Sequence, residues 1–213
     1  MTRLAILGAS GHGKVVADAA ELSGWAEVLF FDDDWPEITS NSNWPVVGNT
    51  KILIDNLSLY DGVIVAVGDN LIREKKTKLL VENDARLVSI IHPSSVVSRY
   101  ASIGNGSVVF SNVVVNADVE IGSAVILNTG CTIDHDCDIG DMVHISPGVS
   151  VAGGVSVGHR TWVGIGACVK QCVDIGDDVI IGAGSVVLKD ISDGISVVGN
   201  PARFYEKKIN VKY

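Results

Sequence analysis

Fifteen aliphatic residues recur at a spacing of six between positions 101 and 190. Read in sixes from Ala101, the chain runs ASIGNG SVVFSN VVVNAD VEIGSA VILNTG CTIDHD CDIGDM VHISPG VSVAGG VSVGHR TWVGIG ACVKQC VDIGDD VIIGAG SVVLKD. The third position of each unit is always Ile, Leu or Val, from Ile103 through Val109 and Val115 to Val187. These three residue types fill 30 of the 90 positions, so chance yields such a column about once in ten million trials per frame. The frame runs back through Val97 and Ile91. A six-residue period admits one short strand and one turn per unit. Three units close a triangular coil, and stacked coils pair their backbones at about 4.8 Å per layer. One aliphatic per unit then points inward to fill the axis. First positions are small or apolar (Ala101, Ser107, Cys131, Thr161, Ala167), and fourth positions are often Gly, which suits a turn. Fifteen units predict five coils of a hexapeptide β-helix.

The first half has another rhythm. Leu4–Leu7 reads as a strand ended by Gly8-Ala9-Ser10-Gly11-His12-Gly13, and Lys14–Leu22 as a helix. Val28–Phe31 reads as a second strand ended by Asp32-Asp33-Asp34, and Trp35–Asn49 as loop. Val63–Val67 reads as a third strand, followed by a charged helix over Leu71–Glu82. Strands alternating with helices imply a parallel sheet. The fold class is thus an α/β, Rossmann-like domain over residues 1–88 followed by a parallel β-helix over 89–213.

Composition narrows the function. The 213 residues carry 25 Asp and Glu against 16 Lys and Arg, a formal charge of -9. That excludes a general nucleic-acid binder, whose phosphate contacts need a basic surface. It leaves room for a small anionic ligand, because backbone N–H groups bind phosphate within an acidic protein. No signal peptide and no membrane-spanning apolar run are read. The cysteines, Cys131, Cys137, Cys168 and Cys172, form no CxxC pair, so a reduced, cytoplasmic protein is expected.

One unit breaks the pattern. Cys131-Thr132-Ile133-Asp134-His135-Asp136 sets an imidazole between two carboxylates. Imidazole titrates near neutral pH and serves as a general base. A carboxylate beside it fixes its tautomer and raises its basicity, and Asp136 is the better candidate for this than Asp134. A solvated turn histidine is the competing reading. His144, at the second position of its unit, should point outward, as a ligand contact or as a surface histidine. His92 and His159 carry weaker signals. The loop at 8–13 follows a strand and opens a helix, the context for phosphate at a helix N-terminus. Its spacing is GxxGxG, however, and the rest of the chain holds no hydride-transfer domain, so a dehydrogenase is disfavoured.

Taken together and in order, GASGHGK at 8–14, FDDD at 31–34, VAVGDN at 65–70, IHPSS at 91–95, LNTGCTIDHDCDIGD at 127–141, HISPG at 144–148 and VGNPAR at 198–203 resemble the PglD/NeuD-type sugar acetyltransferases. The resemblance covers nearly the whole chain. It implies a left-handed β-helix, a homotrimer and transfer of acetyl from acetyl-CoA to the amine of a nucleotide-linked 4-amino-4,6-dideoxy sugar, in bacterial surface-glycan or glycoprotein biosynthesis. His135 would be the general base and Asp136 the neighbour that strengthens it. His144, Gly153, Ile165, Gly182 and Ala183 would line the acetyl-CoA groove. Apart from the resemblance, Arg203, in the loop after the last coil, is read as a partner for a CoA phosphate. Ser10, Gly11, His12, Asp32, Asp33 and Gly68 would hold the nucleotide sugar. The amine would attack the thioester directly, with backbone or His144 donors stabilising the oxyanion. No metal and no covalent enzyme intermediate are expected. Two further readings remain: an O-acetyltransferase acting on sialic acid or another sugar hydroxyl, and a non-catalytic nucleotide-sugar-binding scaffold.

Overall fold

The computed structural model describes residues 2–206; the C-terminal tail beyond Glu206 lies outside the described residues. In the first half the strands are β1 (Arg3–Leu7), β2 (Glu27–Phe31), β3 (Ser40–Asn41), β4 (Trp44–Gly48) and β5 (Gly62–Val65). The helices are α1 (Gly11–Leu22), α2 (Thr50–Asp55) and α3 (Asn70–Glu82). The strands form one sheet in the order β3-β4-β2-β1-β5. All neighbours pair in parallel except β3, which folds back on β4 at the edge. The chain leaves β1 toward β2 and β4, then returns to β5 on the other side of β1. The carboxyl ends of β1 and β5 therefore flank a switch point, where open α/β sheets bind ligands.

Three sequence expectations need correction here. Trp35–Asn49 is not all loop, because it contains β3 and β4. Pro45 conceals the strand, but it lies opposite Ser40 beside the two-residue edge strand, where a missing N–H is tolerated. α1 begins at Gly11, three residues before Lys14, so Gly11–Gly13 of the glycine-rich segment belong to the first helical turn. β5 ends at Val65, and the carbonyls of Val67 and Gly68 turn aside to accept bonds from Arg73. α2 carried no clear periodic signal; its start is fixed by the Asn49 side chain accepting from the Ile52 N–H at 3.0 Å.

From Ile90 onward each hexapeptide supplies one two-residue strand, and strands 18 residues apart pair in parallel. Three flat faces result. The first runs from Ile90–Ile91 through Ile126–Leu127 and His144–Ile145 to Ile180–Ile181, and ends on Ser196–Val198 and Arg203–Phe204. The second runs from Val96–Val97 through Thr132–Ile133 to Val186–Val187, and the third from Ser102–Ile103 through Asp138–Ile139 to Asp174–Ile175. The third-position column fills the axis: from Val109 to Val187 each member is at most 3% exposed, and only Ile103, at the mouth, is partly open. First-position residues, including Cys131 and Cys137, pack into the same core. Each such aliphatic side chain contributes about 1.5–3 kcal/mol on burial.

The outward residue of each strand tells the faces apart. On the first face these are Ile90, Val108 and Ile126, which share a buried cluster with Val16, Ala20, Phe30 and Ile64 of the α/β domain, and then His144, Trp162 and Ile180. On the second they are Val96, Val114, Thr132, Ser150, Cys168 and Val186, none of them charged. On the third they are Ser102, Glu120, Asp138, Ser156 and Asp174. The α/β domain thus rides on the first face, the third is solvated, and the second is left uncharged and uncovered in this chain. No helix among the described residues is long and apolar enough to cross a membrane.

A polar latch closes the edge of the domain contact. Glu74 of α3 bonds Lys78 (2.7 Å) on its own helix, and His159 (3.2 Å) and Arg160 (3.2 Å) on the β-helix; Arg160 in turn pairs with Asp178 at 2.6 Å. Lys78 and then, against the opposing effect of burial, His159 and Arg160 hold the Glu74 carboxyl down at about 2. A depressed carboxyl stabilises the fold fully above its ordinary value near 4.5, and that contribution disappears as pH falls toward 2. Glu74→Gln should therefore lower stability at pH 7 by about 1–3 kcal/mol. The difference from native should vanish on acidification from pH 5 to 2, as read by urea unfolding across pH. A difference that persists at pH 2 would assign it to packing.

Candidate active site

His135 stands at the corner between the second and third faces, in the turn after the strand Thr132–Ile133. Its Nδ1 lies 2.6 Å from Asp136 Oδ2. A carboxylate only accepts, so Nδ1 carries the proton and Nε2 presents its lone pair. Asp136 holds left-handed backbone (φ 57), a conformation a short polar side chain tolerates. Asp134 accepts from the His135 N–H (2.9 Å) and from Asn116 (3.0 Å). The hydrogen bond to Asp136 and then the charge of Asp134 raise the His135 pKa above its ordinary value. The ring is 62% exposed. It is therefore basic and accessible together.

Beneath it lies Gly153, one coil on. A Cβ at 153 would come within 2.6 Å of His135 Cε1 and 2.7 Å of Nε2. The ring rests on bare backbone, and Gly154 N–H bonds the His135 carbonyl at 2.9 Å. Gly153 was expected to line a groove with His144, Ile165, Gly182 and Ala183. In this chain it does not join them, because those four line a groove of about 360 Å³ on the first face and its corner with the second.

His144 is not a surface histidine. It points outward but is covered by the α/β domain and is 5% exposed. Its ring lies 3.9 Å from that of Trp162 and 6.4 Å from that of His12. Asn128 fixes its tautomer. The Asn128 Oδ1 accepts from the Thr129 N–H at 2.8 Å, which turns Nδ2 toward His144 Nε2 at 3.2 Å. That nitrogen accepts, so Nδ1 bears the proton, buried beside the Gly68 backbone. Burial, then Arg73 and His12, hold His144 far below its usual pKa; burial and Arg73 push His12 down to about 4. Both are neutral near pH 7. Asn128 and Trp162 carried no catalytic signal in the sequence, although Asn128 takes a fourth position where Gly is common.

The corner between the first and second faces has a second peculiarity. At the other two corners the left-handed turn residue has a side chain in most coils: Ala124, Met142, Arg160 and Asp178 at one, Asp118, Asp136 and Cys172 at the other. Here four successive coils have Gly130, Gly148, Gly166 and Gly184. A Cβ at any of the four would meet nothing within 4 Å. The left-handed backbone favours glycine at all four, yet the other corners carry side chains at similar angles, and nothing in this chain fills the space beside the strip.

The α/β domain brings the rest together at its switch point. Ser10 and Gly11 are exposed at the N-terminus of α1, His12 turns inward, and Gly68 is buried beyond β5. Asp32 accepts from the Ala9 N–H at 2.7 Å and shapes the glycine-rich loop. Asp33 accepts from the Thr50 N–H (3.0 Å) and pairs with Lys76 (2.7 Å). Against burial, Lys76 and Thr50 hold Asp33 at about 2. Arg203, with Lys189 and Phe204, borders a cleft of about 550 Å³ at the last coil. Among the described residues no cluster of three or more His, Cys, Asp and Glu could hold a metal.

This geometry has known relatives. The acetyltransferase domain of PglB from Neisseria gonorrhoeae is 41% identical, covers 96% of this chain and 100% of its own, and superposes with a TM-score of 0.91. This chain belongs to the PglD-type family of sugar acetyltransferases. The PglD N-terminal domain model matches residues 3–80. PerB from Caulobacter crescentus, solved with CoA and GDP-perosamine, is 38% identical over 96% of this chain and 98% of its own, with a TM-score of 0.90. A curated UDP-N-acetylbacillosamine N-acetyltransferase from Bacillus subtilis is 36% identical over 116 residues, and the match spans about half the length of each protein. Membership of the PglD-type family accounts for the joining of the two halves, a short parallel sheet seated on a hexapeptide β-helix.

The His135–Asp136 pair can be tested without any ligand. Asp136→Asn should lower the His135 pKa toward its ordinary 6.5, because a neutral amide no longer favours the imidazolium. The observable is the pH titration of the ring Cε1–H by NMR. An unchanged midpoint would remove Asp136 from the assignment.

Proposed function

We propose that the protein transfers the acetyl group of acetyl-CoA to the amine of a nucleotide-linked amino sugar, with His135 as general base. The observation that carries this reading is the His135 ring, exposed, seated on Gly153 and bonded through Nδ1 to Asp136. Nε2 accepts the proton as the neutral amine attacks the thioester carbonyl; the tetrahedral adduct collapses, the C–S bond breaks, and the imidazolium protonates the departing thiolate. The raised pKa of His135 strengthens it as a base at neutral pH.

Acetyl-CoA fits the bare glycine strip. A thin pantetheine chain could lie against Gly148, Gly166 and Gly184, beside Ile165, Gly182 and Ala183. On the His135 corner, the equivalent residue three coils along is Lys189, about 14 Å away at the layer spacing. It borders the cleft that also holds Arg203 and Phe204, two cations and an aromatic suited to a phosphorylated adenosine. The nucleotide sugar is assigned to the switch point, at Ser10, Gly11, His12 and Gly68, with Asp32 and Asp33 shaping the loops around it.

His135 and the glycine strip occupy different corners, separated by the uncharged second face. Three copies packed about a threefold axis on that face would bring the His135 corner of one against the groove of the next. A homotrimer is therefore part of the proposal, and each site draws on two subunits.

The test follows CoA thiol release with UDP-, dTDP- and GDP-linked 4-amino-4,6-dideoxy sugars, with sialic acid as the hydroxyl control. Turnover of an amino sugar is expected, and His135→Ala should cost about 10²–10⁴-fold with sedimentation unchanged. Turnover of sialic acid alone would transfer the protein to O-acetylation. Gly166→Ala should raise the KM for acetyl-CoA at least about tenfold and leave the nucleotide-sugar KM in place. Val114→Asp on the second face should yield inactive monomers by analytical ultracentrifugation. An active monomer would sink the shared site.

A further inference from the structure

We infer that Arg73 is a positioning residue that sets the register between the switch-point loop of the α/β domain and the β-helix, and so fixes where an acceptor held by that loop meets the acetyl group. Arg73 is 1% exposed, in the first turn of α3. Its guanidinium reaches backward and forward at once. Nη1 donates to the carbonyls of Val67 (3.0 Å) and Gly68 (2.9 Å), the loop beyond β5. Nε donates to Ala124 O (2.8 Å) and Nη2 to Met142 O (2.6 Å) on the β-helix. Nη2 also donates to Asn70 Oδ1 at 2.8 Å, and Asn70 Nδ2 donates to Arg160 O at 2.7 Å.

Ala124, Met142 and Arg160 are the same turn residue in three successive coils, all with left-handed backbone. Two adjacent side chains on one helix thus bind three rungs of the corner ladder, spaced by the layer repeat of about 4.8 Å. A rigid planar fork serves this arrangement; a lysine ammonium, with three donors on one atom, cannot span it. The register so fixed places Gly68 and His144, two residues after Met142, on opposite sides of one junction. Burial keeps His12 and His144 neutral, and the Arg73 charge adds to it.

The kinetic part of this inference rests on the proposed acetyl transfer; its structural part does not. Arg73→Lys keeps the charge and removes the fork. By hydrogen exchange it should speed peptides covering 66–70 at least about tenfold and leave those covering 167–190 at native rates. With the panel sugar that native enzyme turns over fastest, kcat should fall about 10²-fold, the cost of a misplacement near 1 Å. The acetyl-CoA Kd by calorimetry should stay within about threefold of native. Acetylation of the same amino sugar without its nucleotide should not change, because that acceptor does not depend on the loop. Should Arg73→Lys fail to fold, Asn70→Ala removes the Arg160 anchor and should reproduce the pattern at smaller amplitude. Native exchange at 66–70, a uniform rise across the chain, or equal losses with both acceptors would each overturn the inference. If native enzyme acetylates no panel sugar, the proposed function falls and the exchange data alone decide the role of Arg73.

Discussion

Everything in this molecule hangs on the parallel pairing of residues 18 apart. Once Val109 lies beside Leu127, and Leu127 beside Ile145, each following hexapeptide has one place to go. The axis admits one aliphatic per strand, and the ladder satisfies the backbone N–H and C=O groups of each coil with those of the next. Because the register repeats without drift, equivalent residues stack in straight columns. A column is therefore the functional unit: a run of glycines makes a bare strip, a run of turn carbonyls makes a ladder for Arg73 and Asn70, and one glycine in the column below His135 gives its ring a seat.

The second constraint is how the α/β domain is seated. Its apolar contact with Ile90, Val108 and Ile126 sets which face is covered but tolerates sliding. Bonds to backbone carbonyls do not, because the acceptors recur at a fixed step and Arg73 and Asn70 engage three of them together. Hydrophobic burial thus supplies the area and the polar contacts supply the register, a division expected when directional bonds lie inside a non-directional interface.

The β-helix was legible almost residue by residue, since a six-residue period leaves no alternative assignment for the column from Ile103 to Val187. His135 and Asp136 were legible because they break that period. The α/β half was less so. β4 was hidden by Pro45 and Trp44, acceptable only because β4 has the short β3 as its outer neighbour, a fact of topology and not of local sequence. Arg73 was invisible for a different reason. Its partners are mostly carbonyls, which every residue has, so no side-chain pattern announces them. The division of the expected groove residues between two corners was likewise unreadable, since Gly153 and Gly182 look alike until the coil is closed.

Two histidines nine positions apart show how the scaffold assigns chemistry by place. His135 and His144 lie half a coil apart and share an ordinary pKa, yet they are driven in opposite directions. His135 sits in a turn, in water, with a carboxylate on Nδ1, so the proton affinity of Nε2 is raised and the neutral ring is a stronger base. His144 sits on a strand, under a second domain, with Arg73 nearby and Asn128 donating to Nε2, so the neutral form is enforced and the ring offers only an N–H. In the proposed acyl transfer to an amine, the two would serve as proton acceptor and fixed donor. The β-helix sets two such different environments on one residue type by placing one at an open corner and the other on the face that the α/β domain covers.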